Sequence, residues 1–286
     1  MPSAENLIKR FSGMKTLPHV AIRLSKLISN ESTTAQQFED VIKLDPTLVL
    51  RLLRVANSSY YGLQKKVESI SRAIVFIGMK NLRNMVVTTS LKDIFKKGQN
   101  EDLFSREKLW LHCAAVGICA KMIAERIFGK TGEDFYLCGI LHDIGLIVED
   151  HTVNDLLIEM CKAYMPGGGP ITEYEQEVIG TNHSEIGYLL TKEWGLPVEV
   201  QEGIRFHHDI GKEYDPSGLI GIIQMSEYIV SQMNYVAIPN LKALLAQNLK
   251  NYMRENIAEF KALMNDFPDE MEKAKELYES DKKGKG

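Results

Sequence analysis

Apolar residues recur at intervals of three and four through most of the 286-residue chain: Ile22, Leu24, Leu27 and Ile28, then Phe38, Val41 and Ile42, then Leu48, Leu52 and Leu53, then Ile74 and Ile77. That spacing puts one apolar stripe on each helix, and no alternating strand pattern of useful length competes with it. The expected fold class is therefore all-α. Start and stop signals divide the pattern into short helices. Ser32, Thr33 and Thr34 can cap a helix through Ile42, Asp45 and Pro46 read as cap and first residue of one through Asn57, and Gly78 reads as a C-terminal stop. A helix from Asn81 or Leu82 to about Phe95 follows. Residues 96–102 are the most polar stretch before the C-terminus and mark the expected boundary between two halves.

In the second half, Trp110–Phe128 and Phe135–Val148 read as two long helices, followed by a loop built on Pro166, Gly167, Gly168, Gly169 and Pro170. Helical patterns resume at Thr172–Gly180, His183–Trp194, Pro197–His207 and Leu219–Gln232, with Pro239 opening another. The segment from Asp266 onward reads as a solvated helix ending in a frayed tail.

Lys plus Arg number 34 against 38 for Asp plus Glu, so no chain-wide positive field favours nucleic acid or anionic lipid. Thr33–Asn57 has the outline of a helix-turn-helix with Arg51 and Arg54 on its second helix, but that helix is too apolar to lie in a major groove, and Asp40 and Asp45 add negative charge. Met79, Lys80, Arg83 and Lys92 form a mild basic cluster that reads as a solvated face. Cys113, Cys119, Cys138 and Cys161 show no paired spacing and read as reduced thiols. The N-terminus has no long apolar run, which gives the expectation of a cytoplasmic protein without membrane contact.

Six of the seven histidines follow Lys96. His142 and Asp143 are adjacent, and on a continuous helix they would diverge by about 100°, so that an ion between them could take imidazole and carboxylate together. His207 and His208 form a second pair. His112 lies on an earlier helix and His183 opens a later one, whereas His19 and His151 lie in loop-like contexts and read as solvent-facing. Taken singly, each histidine is more often an ordinary core or surface residue, but their joint occurrence on successive helices is harder to explain that way.

The order His112, His142-Asp143, His183, His207-His208 and then a late acidic residue resembles the HD superfamily of metal-dependent phosphohydrolases. Leu17-Pro18, Asp45-Pro46-Thr47-Leu48, Leu52-Leu53-Arg54-Val55-Ala56-Asn57-Ser58, Ser69-Ile70, Ala73-Ile74 and Ile77-Gly78 narrow this to a resemblance to HDOD domains, covering about Leu17 to Gln232. The resemblance implies an OD-like helical half (residues 1–96), an HD-like helical half (97–265) and a charged C-terminal helix and tail (266–286). It also implies a bacterial signalling role with a protein partner. Members of this family often lack the metal ligands. Here a nearly complete set remains: His112, His142, Asp143, His183, His207, His208 and Glu227, the last where HD proteins usually place aspartate.

Five imidazoles and two carboxylates exceed the needs of one ion, so two ions of Fe, Mn or Zn sharing Asp143 are the expected arrangement, with His142 and Asp143 the candidate catalytic residues. Such a pair could activate water against a phosphoester, so a hydrolase acting on a nucleotide, cyclic dinucleotide or other phosphorylated small molecule is the alternative to a regulatory module. The substrate side argues for the regulator. The related HD-GYP phosphodiesterases carry lysine where this chain has Leu146, and the sequence from Asp209 to Gly218 lacks the GYP signature. Lys108 stands where some trinuclear relatives have glutamate. Arg205 and Lys212 could supply replacement cations, but such residues are more often solvated.

Overall fold

A computed structural model of the chain describes residues 1–11, 19–28, 32–57, 66–95 and 102–279. Within them lie α1 (Ala4–Arg10), α2 (His19–Ile28), α3 (Ala35–Ile42), α4 (Pro46–Ala56), α5 (Ile70–Ile77), α6 (Met79–Phe95) and α7 (Arg106–Met122), the last running into a π-helical turn, Ile123–Ile127. There follow α8 (Glu133–Leu141), α9 (Ile144–Thr152), α10 (Asn154–Ala163), α11 (Ile171–Val178), α12 (His183–Glu193), α13 (Val198–Phe206), α14 (Leu219–Gln232), α15 (Gln247–Glu255) and α16 (Ile257–Glu279). No strand occurs among the described residues, and none of their helices is long and apolar enough to cross a membrane.

By internal packing the chain groups into two units: residues 1–15 with 92–263, and residues 16–91 with 264–286. The polar stretch on which the boundary was expected lies outside the described residues except for Asp102, as do Leu17-Pro18, residues 58–62 and the terminal lysine-rich tail.

In the smaller unit the capping signals have their expected partners. Thr34 and Gln37 form a reciprocal capping box at the start of α3, and Ser69 Oγ accepts from Arg72 N at α5. Gly78 ends α5 at φ +84°, a conformation that costs a residue with a Cβ. α3 packs on α2, α4 and α5, burying Phe38, Val41, Ile42, Leu52 and Ala73. Arg83, read from the sequence as part of a solvated basic face, is instead fully buried, with Nε and Nη2 on Asn84 Oδ1.

The larger unit is organised by close helix approaches that only glycine permits. A Cβ on Gly139 of α8 would lie 2.5 Å from the Cα of Gly117 on α7, and one on Gly145 of α9 would lie 2.1 Å from the carbonyl oxygen of His183 on α12. The first contact draws α7 against α8 and the second draws α9 against α12. α14 closes on α7 and α13, while α1 lies on α9 and α12, burying Leu7 and Phe11. All four cysteines are buried free thiols.

Several boundaries differ from the sequence reading. α6 begins at Met79 and α7 at Arg106, where Ser105 Oγ accepts from Lys108 N. The run Phe135–Val148 is two helices, α8 and α9, broken at His142-Asp143. α10 was not foreseen, and no helix opens at Pro239, since residues 239–246 are irregular up to α15. His19 opens α2, and His151 is exposed but helical, in the last turn of α9 with its ring edge-on to Phe11 at 5.0 Å. Phe267 and Met271 of α16 are buried, so the C-terminal helix is not solvated all round.

Because the Gly117–Gly139 contact has no slack, Gly139→Ala should lower the unfolding free energy by about 1–3 kcal/mol in urea titrations, the usual cost of overpacking. Gly211→Ala, at a position whose added Cβ meets only Asp209 Oδ1 at 3.7 Å, should stay within about 0.5 kcal/mol of the parent. Equal effects at the two positions would refute the close-approach account.

A candidate metal centre

The break between α8 and α9 is what builds the centre. Asp143 adopts φ −99° and ψ +13°, leaving the helix, so the Gly139 carbonyl loses its helical donor. His142 Nδ1 donates to that carbonyl at 2.7 Å. The end of α13 repeats the device: His207 Nδ1 donates to the Ile204 carbonyl at 2.6 Å. Two imidazoles are thus oriented by carbonyls freed where helices end, rather than by residues adjacent on one continuous helix.

The other rings are held by other acceptors. His112 Nδ1 donates to the Tyr235 carbonyl at 2.7 Å, in the turn after α14 where Asn234 takes φ +65°. His183 Nδ1 lies 2.7 and 2.8 Å from the two oxygens of Glu175, which also accepts the His183 backbone N–H at 3.1 Å. Carbonyls and carboxylates only accept, so each of these four Nδ1 atoms carries a proton and each Nε2 turns inward.

The Nε2 atoms converge on Asp143. Its Oδ2 lies 3.4 Å from His112 Nε2 and 3.3 Å from His142 Nε2, and its Oδ1 lies 3.3 Å from His183 Nε2 and 3.6 Å from His207 Nε2. His208 Nε2 is 3.8 Å from Glu227 Oε1. All seven residues singled out in the sequence come together in two donor groups, Asp143 with His183, His207 and His208, and His112 with His142 and Glu227. Within each group the donor atoms lie within 4.8 Å of one another, close enough to hold a metal ion. The donors are nitrogen and oxygen without thiolate, which suits Fe, Mn or Zn.

Without a metal, protons must do the neutralising. His112 and His142 face each other Nε2 to Nε2 at 3.2 Å, as do His183 and His207. Two lone pairs at that distance need a cation between them. Burial pushes His112 and His207 down to about 4. Burial also opposes charge on His142 and His183, but Asp143 beside His142, and Glu175 with Asp143 beside His183, raise both above the ordinary value of 6.5. In each pair one ring therefore takes up a proton more readily than its neighbour, His142 ahead of His112 and His183 ahead of His207. Burial works against the Asp143 anion too, yet His142 and the other imidazoles hold it well below the usual carboxylate range. Burial raises Glu227 to about 8 despite His142.

Glu175 and Tyr235 were not found by sequence reasoning. Near Glu175 lies Glu149, fully buried; burial, then the Glu175 charge, raise it well above the usual carboxylate range. Leu146 is buried and adds no charge. Arg205 and Lys212 are not brought among the donors: Arg205 pairs with Glu185 at 3.0 Å over the Tyr188 ring, and Lys212 pairs with Asp209 at 2.8 Å. Lys108 shows no contact with the cluster.

The HDOD domain matches residues 14–210 of the chain, about two thirds of its length. The chain belongs to the HDOD family. Of the seven donors, only Glu227 lies beyond the matched HDOD region. An uncharacterized protein of Treponema pallidum (strain Nichols) is 27% identical over 221 residues, 74% of this chain and 42% of its own length. The chain spans less than half the length of the curated relatives it matches.

Three solved structures share the fold. An HDOD domain protein of unknown function from Geobacter sulfurreducens has a TM-score of 0.76 at 21% identity over 96% of each chain. A protein provisionally named a signal transduction protein, from Marinobacter aquaeolei VT8, has a TM-score of 0.73 at 20% identity over 96% of this chain and 64% of its own. One provisionally named a phosphohydrolase, from Shewanella amazonensis SB2B, has a TM-score of 0.68 at 23% identity over 95% and 97% of the two chains.

The protonation pattern has a measurable consequence. His142 and His183 are raised, so their stabilising effect on the metal-free protein is full below about 6.5 and lost as pH rises through their folded values. Glu227 acts the same way between 4.5 and about 8. His112 and His207 act oppositely, their contribution being lost as pH falls from 6.5 toward about 4. Metal-free protein should therefore weaken on both sides of mildly acidic pH. Uptake of Zn(II) or Mn(II) near pH 6.5 should expel protons, seen as calorimetric enthalpies that change with buffer ionisation enthalpy, and affinity should rise toward pH 8. Identical enthalpies in all buffers would contradict this assignment.

Proposed function

We propose that this HDOD protein is a signal-transduction module. Its HD-like half, about residues 97–265, would carry a di-metal centre, and its OD-like half, about residues 1–96, would engage a protein partner. His112, His142 and Glu227 would hold one ion, His183, His207 and His208 the other, with Asp143 shared between them. Bound ions of Fe, Mn or Zn would supply Lewis acidity and a water of lowered pKa. The chain's own contribution is to fix the four Nδ1 protons outward and to exclude solvent.

The observation that favours a regulator is the closure of the site. No donor side chain is more than 10% exposed, and His208 is the one that reaches that figure. Leu146 fills the position where a lysine would steady a phosphate. An ion in such a site stabilises the folded state by mass action whether or not it turns anything over. Partner binding is supported by Leu44, Leu50, Val75 and Phe76, which stand 56–78% exposed on α4, α5 and the turn before α4.

A second reading, a metal-dependent phosphohydrolase acting on a small phosphoester, is favoured by the completeness of the donor set. A pair of ions sharing a carboxylate is sufficient to polarise a phosphate. His142 and Asp143 would be its catalytic residues.

Metal-loaded protein and His142→Ala should be assayed against phosphomonoesters, nucleotides and cyclic dinucleotides, alongside metal analysis. The regulatory reading expects bound Fe, Mn or Zn, a melting temperature that rises on metal addition, and no turnover. Turnover abolished by His142→Ala would establish the hydrolase instead. Protein that takes up none of these ions and gains no stability from them would remove both readings.

A further inference from the structure

Gln224 lies on α14 one turn before Glu227, so the two share a helix face. It is 1% exposed. Its Nε2 donates to the Phe206 carbonyl at 3.2 Å and to the Asp209 carbonyl at 2.9 Å. Those two carbonyls bracket His207 and His208. α13 ends at Phe206, and Asp209 N, donating to the Phe206 carbonyl at 3.0 Å, closes a single turn over His207 and His208; Gln224 ties both ends of this turn to α14.

The same side chain leaves its Oε1 buried with no hydrogen bond among the described residues. Reversing the amide would point that oxygen at two carbonyl oxygens, so the donor assignment stands. A buried amide with an empty acceptor is a cost that an apolar residue of equal length would avoid. Packing alone does not account for glutamine here.

We infer that Gln224 is a positioning residue that clamps the His207-His208 turn to the helix bearing Glu227, and so couples the two donor groups of the metal centre. The metal part of this inference rests on the reading given under Proposed function; the clamp itself does not. His208 and Glu227, 3.8 Å apart across the two groups, are the side chains whose separation the clamp would set.

The test compares the parent with Gln224→Met, which keeps length and flexibility but has no donor. In metal-free protein, nitrogen-detected NMR of the histidine rings should show displaced or broadened His207 and His208 resonances with the His112 signals unmoved and helical content preserved. In the metal arm, Zn(II) or Mn(II) should bind 10- to 100-fold more weakly, the usual effect of removing an outer partner of a ligand. Should Gln224→Met not fold, Gln224→Asn keeps the amide one methylene too short to reach both carbonyls and is expected to behave alike. Unmoved His207 and His208 rings in the folded variant would overturn the clamp, whatever the metal does. A parent protein that binds neither ion would overturn the metal reading, and the metal-free spectra would still decide Gln224.

Discussion

The buried carboxylate of Asp143 is the constraint around which the larger unit is arranged. An anion 5% exposed is tolerated only if it is compensated, and four imidazole Nε2 atoms within 3.6 Å supply that compensation through protons or metal ions. The four rings come from α7, the end of α8, the start of α12 and the end of α13. Bringing four helix segments to one carboxylate requires backbones closer than ordinary side chains allow. Gly117 against Gly139 and Gly145 against His183 meet that requirement. Gly145, two positions after Asp143, is thus a packing residue: without it α12 could not bring His183 to the carboxylate.

The orientation of the rings follows from a second constraint, the supply of acceptors. A histidine ligand works through one nitrogen only when the other is committed. Here the commitments come from two helix ends, one carbonyl after α14 and the Glu175 carboxylate. Helix termini are thus used twice, first to stop the helix and then to aim a ring. Asn234, at φ +65°, is the local cost of that arrangement.

This explains which parts of the site could be read from the sequence. His112, His142, Asp143, His183, His207, His208 and Glu227 were legible because histidine and acid clusters are uncommon in apolar helices, and their order carries the family pattern. The all-helical class and most helices of the smaller unit were legible from periodicity and caps. The break at His142-Asp143 was not, because the apolar run on both sides keeps a helical period and contains no proline. Tyr235 contributes a backbone carbonyl, which leaves no mark on residue type. Glu175 sits in an acidic stretch that reads as a solvated helix face, and its only signal is its place on the helix preceding His183. Arg83 was misread for a related reason: its charge suggested a surface, whereas Asn84 satisfies two of its nitrogens inside.

The same geometry bears on what the centre is for. Ions held by this donor set would leave positive charge that an anion could balance, and hydroxide, water or a phosphate oxygen would all serve. Chemistry at the ions therefore does not separate a sensor from a hydrolase; access does. Among the donors the route from solvent is least obstructed at His208, and the cations nearest in sequence, Arg205 and Lys212, are already paired with Glu185 and Asp209. Leu146, buried on α9, offers a phosphate nothing. A bulky dinucleotide would have to displace packed helices and would find no free cation among these residues to compensate. An ion needs only the donors, which are already turned inward. On the proposed reading, occupancy would change the charge at the junction of α7, α8, α12 and α13, and a partner could sense such a change through packing, without any substrate being turned over.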